Sequence, residues 1–324
     1  MNQQDFERRN EAYWQTTEAL IDSLSQRKHV TPIDAAEFPA RYRQVCKHLA
    51  LARERQYASH LTERLNQLML RGHQHLYSAR AGFLNHILHF IGAAFPALIR
   101  REWRLFWLAF LLFYGPALLM GWAVYARPEM AYTVMSPTQI FQVEEMYRPD
   151  APHIGRERGA DNDFYMFGVY IWNNIRIGFQ TFAGGIFFGI GSIFFLLFNG
   201  LYIGVVAGHL TEVGYTRTFW PFVAGHGAFE LTAIVLSGMA GLKLGFALLA
   251  PGRRTRLEAL REAGKVSIKI IYGVIGMLVI AAFIEAFWSA STLVGPTAKY
   301  SVAGVLWGLV VLYFLLVGRG GHAD

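Results

Sequence analysis

Two regimes of hydrophobic and polar patterning meet near residue 97. Before it, apolar residues recur at spacings of three and four among charged ones. They are Trp14, Leu20, Ile21 and Leu24, then Phe38, Tyr42, Val45, Leu49, Ala52, Tyr57, Leu61, Leu65 and Leu68. That period predicts amphipathic helices, and about 80 residues of them predict a small helical bundle. The first helix covers roughly Phe6–Ser25. A second begins at Thr31-Pro32, where Thr31 suits the N-cap and Pro32 the first helical position. The pattern predicts one long helix from there until Gly72 interrupts it. Residues 80–99 are apolar but contain His86 and His89, and they read as an interfacial helix ending near Pro96.

Beyond residue 97 the apolar runs lengthen. Six segments are long and apolar enough to be read as spans: 105–125, 164–183, 184–208, 219–250, 267–288 and 301–317. The expected fold class is therefore all-α. It consists of a polytopic membrane protein of about six transmembrane helices with an N-terminal cytoplasmic helical bundle. The expected domains are 1–97, the bundle plus the interfacial helix, and 98–324, the transmembrane domain. Pro116 and Pro221 lie inside spans, and the Gly225-His226-Gly227 run beside Pro221 predicts a loosened backbone there.

Charge sets the orientation. Arg100, Arg101 and Arg104 precede the first span, and residues 251–269 carry Arg253, Arg254, Arg256, Arg261, Lys265 and Lys269. Both clusters belong in the cytoplasm. The acidic loop 126–163 suits the outside. An odd number of crossings must then separate that loop from 251–269, which makes 164–183 a span despite Asn173, Asn174 and Arg176. Both termini are expected on the cytoplasmic side. The first 80 residues hold no long apolar core, so the N-terminal part is expected to stay where it was made. The formal net charge of +7 is thus topology rather than affinity for nucleic acid. The single cysteine, Cys46, cannot form an intramolecular disulfide, and no Cys/His zinc spacing surrounds it.

The candidate chemistry lies in the spans. Gly185 and Gly189, then Gly200, Gly204 and Gly208, recur every four residues and predict a face that packs closely on another helix or a second copy of the chain. Asn173, Asn174, Asn199, His226, Glu230 and Glu285 form the candidate intramembrane polar centre. At 1.5 Å per residue, Asn199, His226 and Glu230 lie roughly 10–16 Å from the outer surface, and Glu285 is shallower. Three readings of this centre stand side by side. It could fix the bundle through cross-helix hydrogen bonds, line a pathway for an ion, lipid or small molecule, or belong to an intramembrane metal hydrolase. No second histidine lies at ligand spacing from His226, and neither a zincin helix motif nor a serine elbow is present. No metal, cofactor or catalytic residue is therefore assigned.

The runs Phe198-Asn199-Gly200-Leu201-Tyr202-Ile203-Gly204, Gly225-His226-Gly227-Ala228-Phe229-Glu230 and Gly241-Leu242-Lys243-Leu244-Gly245 resemble the stage II sporulation protein M family. The Asn173-Asn174 pair followed by Gly184-Gly185 is similar to the same pattern, and the resemblance covers about 100–317. It implies a multi-span membrane component without established catalysis, in which Asn199, His226 and Glu230 are the positions carried over. The helical domain at 1–97 departs from sporulation members and resembles the branch of non-sporulating bacteria. That branch implies cytoplasmic AAA-type ATPase or von Willebrand-type partners. The expected function is a non-enzymatic scaffold of a cell-envelope complex in the lipid bilayer, with a homo-oligomer possible. The alternative is a transporter or lipid-handling permease that uses Asn199, His226 and Glu230.

Overall fold

A computed structural model describes residues 2–25, 32–150, 155, 163–291 and 293–319. Most of these residues are helical, with no strand among them, and the chain forms two compact units, Met1–His89 and Phe90–Asp324. The boundary falls at 89/90 rather than 97/98 because Phe95 and Ile99 are buried in the core of the second unit.

The first unit packs α1 (Gln3–Ser25), α2 (Pro32–Glu54) and α3 (Ser59–His89). Its core takes Trp14, Ile21, Phe38, Val45, Leu49, Ala52, Leu61, Leu65 and Leu68 from the predicted apolar stripe and adds Phe6, while Leu20 and Tyr57 are partly buried against it. The long helix expected through Tyr57 is instead broken at 55–58, where Gln56 takes φ 53°. Gly72 does not interrupt α3. It is buried against Tyr42, whose Cδ2 would lie 2.9 Å from an added Cβ. Glycine here admits a neighbouring ring rather than ending a helix. Arg64 forms a fork on Glu11 with two bonds of 2.9 Å, and Arg71 pairs with Glu18 and Asp22. Trp14 Nε1 donates to His48 Nδ1 (3.0 Å) inside the core.

The second unit contains α4 (Phe95–Arg101), α5 (Trp103–Ala126), α6 (Pro137–Tyr147), α7 (Asp163–Ala183), α8 (Ile190–Glu212), α9 (Thr216–Leu249), α10 (Arg256–Phe283) and α11 (Pro296–Leu316). A π-helical turn at Phe90–Ala94 precedes α4, and another, Ile284–Ser289, extends α10. Ser136 and Thr255 cap α6 and α10 with reciprocal Ser–Gln and Thr–Glu boxes.

Among the described residues, five helices are long and apolar enough to cross a membrane: α5, α8, α9, α10 with its π extension, and α11. The sixth expected span, α7, does not reach that hydropathy because of Asn173, Asn174 and Arg176. Its packing nevertheless covers the full height of the bundle. Phe164 and Phe167 meet Phe287 and Phe283 at one end of α10. Gly178 faces Leu278 and Ser237, and Gly185, just past α7, meets Gly241 near the far end of α9.

The glycine stripe of α8 defines the central contact. Gly200 faces the Phe113 carbonyl of α5, Gly204 that of Ala117, and Gly208 that of Gly121. The register rises together on both helices, so α5 and α8 run parallel. Gly185 and Gly189 do not share this face as the spacing predicted. Gly185 lies in a 3-10 turn, and Gly189 takes φ 84° at the N-cap of α8. With Phe188 (φ 54°) they form the turn between α7 and α8, which presses on Gly241 and Gly245 of α9. A side chain at Gly185 or Gly245 would meet backbone, so this approach requires glycine.

α9 is the hub: it packs on α5, α7, α8, α10 and α11. It stays helical through Pro221 and 225–227, so the expected unwinding does not occur there. Pro221 falls in the second turn, where little of the hydrogen-bond ladder precedes it. The departure from α-helix lies in the facing element, at Ile284–Ser289.

Candidate functional site

α9 carries His226 and Glu230 one turn apart, with Phe222 packed edge-on to the imidazole at 5.3 Å. His226 is only 4% exposed. Its Nε2 lies 3.7 Å from Glu230 Oε2 and its Nδ1 lies 3.0 Å from Ser289 Oγ. Glu285, four residues before Ser289 in the π-helical turn, completes the group. One ligand atom from each of His226, Glu230 and Glu285 lies within 4.8 Å of the other two. A π-helical turn inserts one residue into the helix, a feature frequent at functional sites. Here it carries both Glu285 and Ser289 to the imidazole.

A buried cation stands behind this group. Lys299 of α11 is 3% exposed and donates from Nζ to the Ser289 carbonyl (2.7 Å). Trp307 Nε1 donates to the Ala224 carbonyl (3.1 Å), tying α11 to α9 just before His226.

The other predicted residues are distributed differently. Asn174 is buried at 2% exposure on the α7 face shared with Gly178 and accepts from Asn173 Nδ2 (3.3 Å). Asn174 Nδ2 and Ser237 Oγ are buried without a hydrogen-bond partner among the described residues. Asn199 donates to the Phe195 carbonyl of its own helix (2.7 Å), and the cross-helix bond expected of it falls to Ser289. Gly200, Gly204 and Gly208 are occupied by α5 within the same chain.

Sequence reasoning missed Ser289 and Lys299, and it set Glu285 apart as shallow. The π-helical turn brings Glu285 to His226, and nothing in the local spacing signals that turn. A lysine opening an apolar run was the available clue to Lys299. Two further polar contacts were missed. His209 Nε2 meets Glu144 (2.7 Å), and Thr218 Oγ1 donates to the Tyr147 carbonyl (2.5 Å), together fastening α6 to the ends of α8 and α9. At the basic end, Lys243 pairs with Glu102 at 2.7 Å.

A helical bundle with several apolar spans and titratable groups buried at its hub defines a polytopic membrane protein. A family model described as stage II sporulation protein M matches residues 109–290, over half of the chain, and the chain belongs to that family. A second model, described as a domain of unknown function, matches residues 4–78 in the first unit. The chain is similar to an uncharacterised protein of Methanocaldococcus jannaschii, 30% identical over 125 residues, which are 38% of this chain and 70% of that protein. No solved structure matches the chain.

Proposed function

We propose that this protein is a non-enzymatic scaffold of a cell-envelope complex, held in a bacterial inner membrane with its basic end and both termini in the cytoplasm. The observation that supports this reading most is the interlocking of the second unit. Glycines set α8 against the α5 backbone and the α7–α8 turn against the α9 backbone, while both ring nitrogens of buried His226 face side chains of the bundle. Close-packed interiors of this kind deform little. The first unit, which has its own core, then serves as the docking half. Its partners are cytoplasmic AAA-type ATPase or von Willebrand-type proteins, as the family resemblance suggests.

Extraction in a mild detergent followed by native electrophoresis tests this. The chain should migrate in a complex of fixed stoichiometry, and removal of residues 1–89 should release it. Migration as a lone chain both before and after that deletion would overturn the scaffold reading.

A permease is the second reading, favoured by the titratable cluster within the spans. Purified protein in vesicles separates the two. A proton or solute flux lost in Glu230→Gln, with folding retained, supports transport.

A further inference from the structure

We propose that His226, Glu230 and Glu285 bind one divalent transition-metal ion within the membrane unit, joining α9 to the π-helical end of α10. This inference does not depend on the scaffold or the permease reading.

Spacing carries the first part. Ligand atoms that share an ion at about 2.1 Å lie about 3.0 to 4.2 Å apart. His226 Nε2 and Glu230 Oε2, at 3.7 Å, stand at that spacing, which is too long for a hydrogen bond between them. Glu285 supplies the third atom within 4.8 Å, so a small rotation of one carboxylate closes the set.

Orientation carries the second part. A metal-bound imidazole uses one ring nitrogen and anchors the other on a hydrogen-bond partner, which fixes ring and tautomer. Ser289 Oγ holds Nδ1 at 3.0 Å, and Nε2 is the nitrogen turned to Glu230. Ser289 is held in turn by Lys299 through its carbonyl, so this buried cation orients the support of the imidazole.

Charge and surroundings carry the third. A dication held between the imidazole and the two carboxylates would balance both acids at once. Asn174 lies on α7 one turn before Gly178, which faces Leu278 of α10 and Ser237 of α9, and it adds a buried polar group to the interior of the same bundle. One imidazole with two carboxylates suits zinc, manganese or ferrous iron better than magnesium or calcium, which favour all-oxygen shells.

The full chain, purified in detergent with its affinity tag removed, is stripped with EDTA, reloaded with Zn²⁺ or Mn²⁺ and desalted. Elemental analysis should find about one ion per chain, and the melting temperature should rise with metal. Glu285→Gln and His226→Gln should each weaken binding by about tenfold or more, while replacing His86 and His89 together should leave it unchanged. Less than about 0.1 ion per wild-type chain with no melting shift would overturn the proposal. So would undiminished binding in Glu285→Gln, or loss of the metal on replacing His86 and His89. If the variants fail to fold, the wild-type melting shift with Mn²⁺ decides alone: its presence supports the site and its absence overturns it.

Discussion

Adding a single methyl group at Gly204 tests the contact on which the second unit is built. A Cβ there would lie 2.5 Å from the Ala117 carbonyl oxygen and 3.1 Å from Ala117 Cα, where the nearest tolerated contact is about 3.4 Å. Backbone cannot swing aside as a side chain can, so α5 and α8 must separate by about 0.9 Å at this level. Such a gap forfeits roughly a quarter to a half of each contact's dispersion energy, at about 0.1–0.2 kcal/mol per atom pair. For about twenty close pairs the loss is about 0.5–2 kcal/mol, and overpacking a well-packed contact typically costs about 1–3 kcal/mol in all. The opposing term is the better helix propensity of alanine, up to about 1 kcal/mol. Gly304 of α11 isolates that term, since a Cβ there meets nothing within 4 Å. Thermal unfolding in detergent should show Gly204→Ala below the wild type and Gly304→Ala at or above it. If both substitutions raised the melting temperature equally, the close parallel packing of α5 and α8 would be refuted.

Three other outcomes are expected. Single cysteines at Thr216 and Thr255, with Cys46 replaced, report orientation: in intact cells an impermeant thiol reagent should label Thr216 and spare Thr255, and the reverse pattern would invert the topology. Burial holds the His48 imidazole below its ordinary pKa, so its contribution to stability is complete above about pH 6.5 and is lost as pH falls through the lowered folded value. Melting the intact chain from pH 8 to pH 5 should show a decline that is shallower in His48→Gln, and equal slopes would dismiss the role of His48. Breaking the Glu102–Lys243 pair with Glu102→Leu should cost about 1–3 kcal/mol, and adding Lys243→Met should restore part of it. Strictly additive losses in thermal unfolding would show that the two groups are uncoupled.

The elements were legible in the sequence wherever one physical period dominated. The core of the first unit follows from its stripe, since Trp14, Val45, Leu49, Leu61 and Leu65 are buried as their spacing required. The α8 stripe announced close packing, and the structure supplies its partner, which spacing alone could not name. Legibility failed where long-range geometry decided the outcome. Gly185 and Gly189 continued the four-residue spacing numerically, yet their positions belong to a turn that needs a left-handed residue. Glu285 was readable as an acid near a span end. Its approach to His226 depends on one extra residue in a helical turn, a choice made by packing across 59 positions rather than by neighbours. Asn199 carried the family pattern, but an asparagine in a helix can satisfy itself on the carbonyl four residues earlier, and this one does.

The parallel pairing of α5 and α8 imposes an order on biogenesis. Phe113 meets Gly200, so the α5 surface that receives the glycine stripe leaves the ribosome 87 residues before its partner. At about 5–20 residues per second, that interval lasts about 4–17 s. Throughout it, the receiving face of α5 has only lipid, or an insertion factor, against it. α7 emerges inside the same interval, and its asparagine pair and arginine leave it too polar to insert on hydropathy alone. The arrival of α8 therefore completes two tasks at once: it covers α5, and through the glycine turn it brings α7 to the bundle. A ribosome stalled between Ala183 and Gly208 would therefore leave a nascent chain whose α5 has no partner for its receiving face.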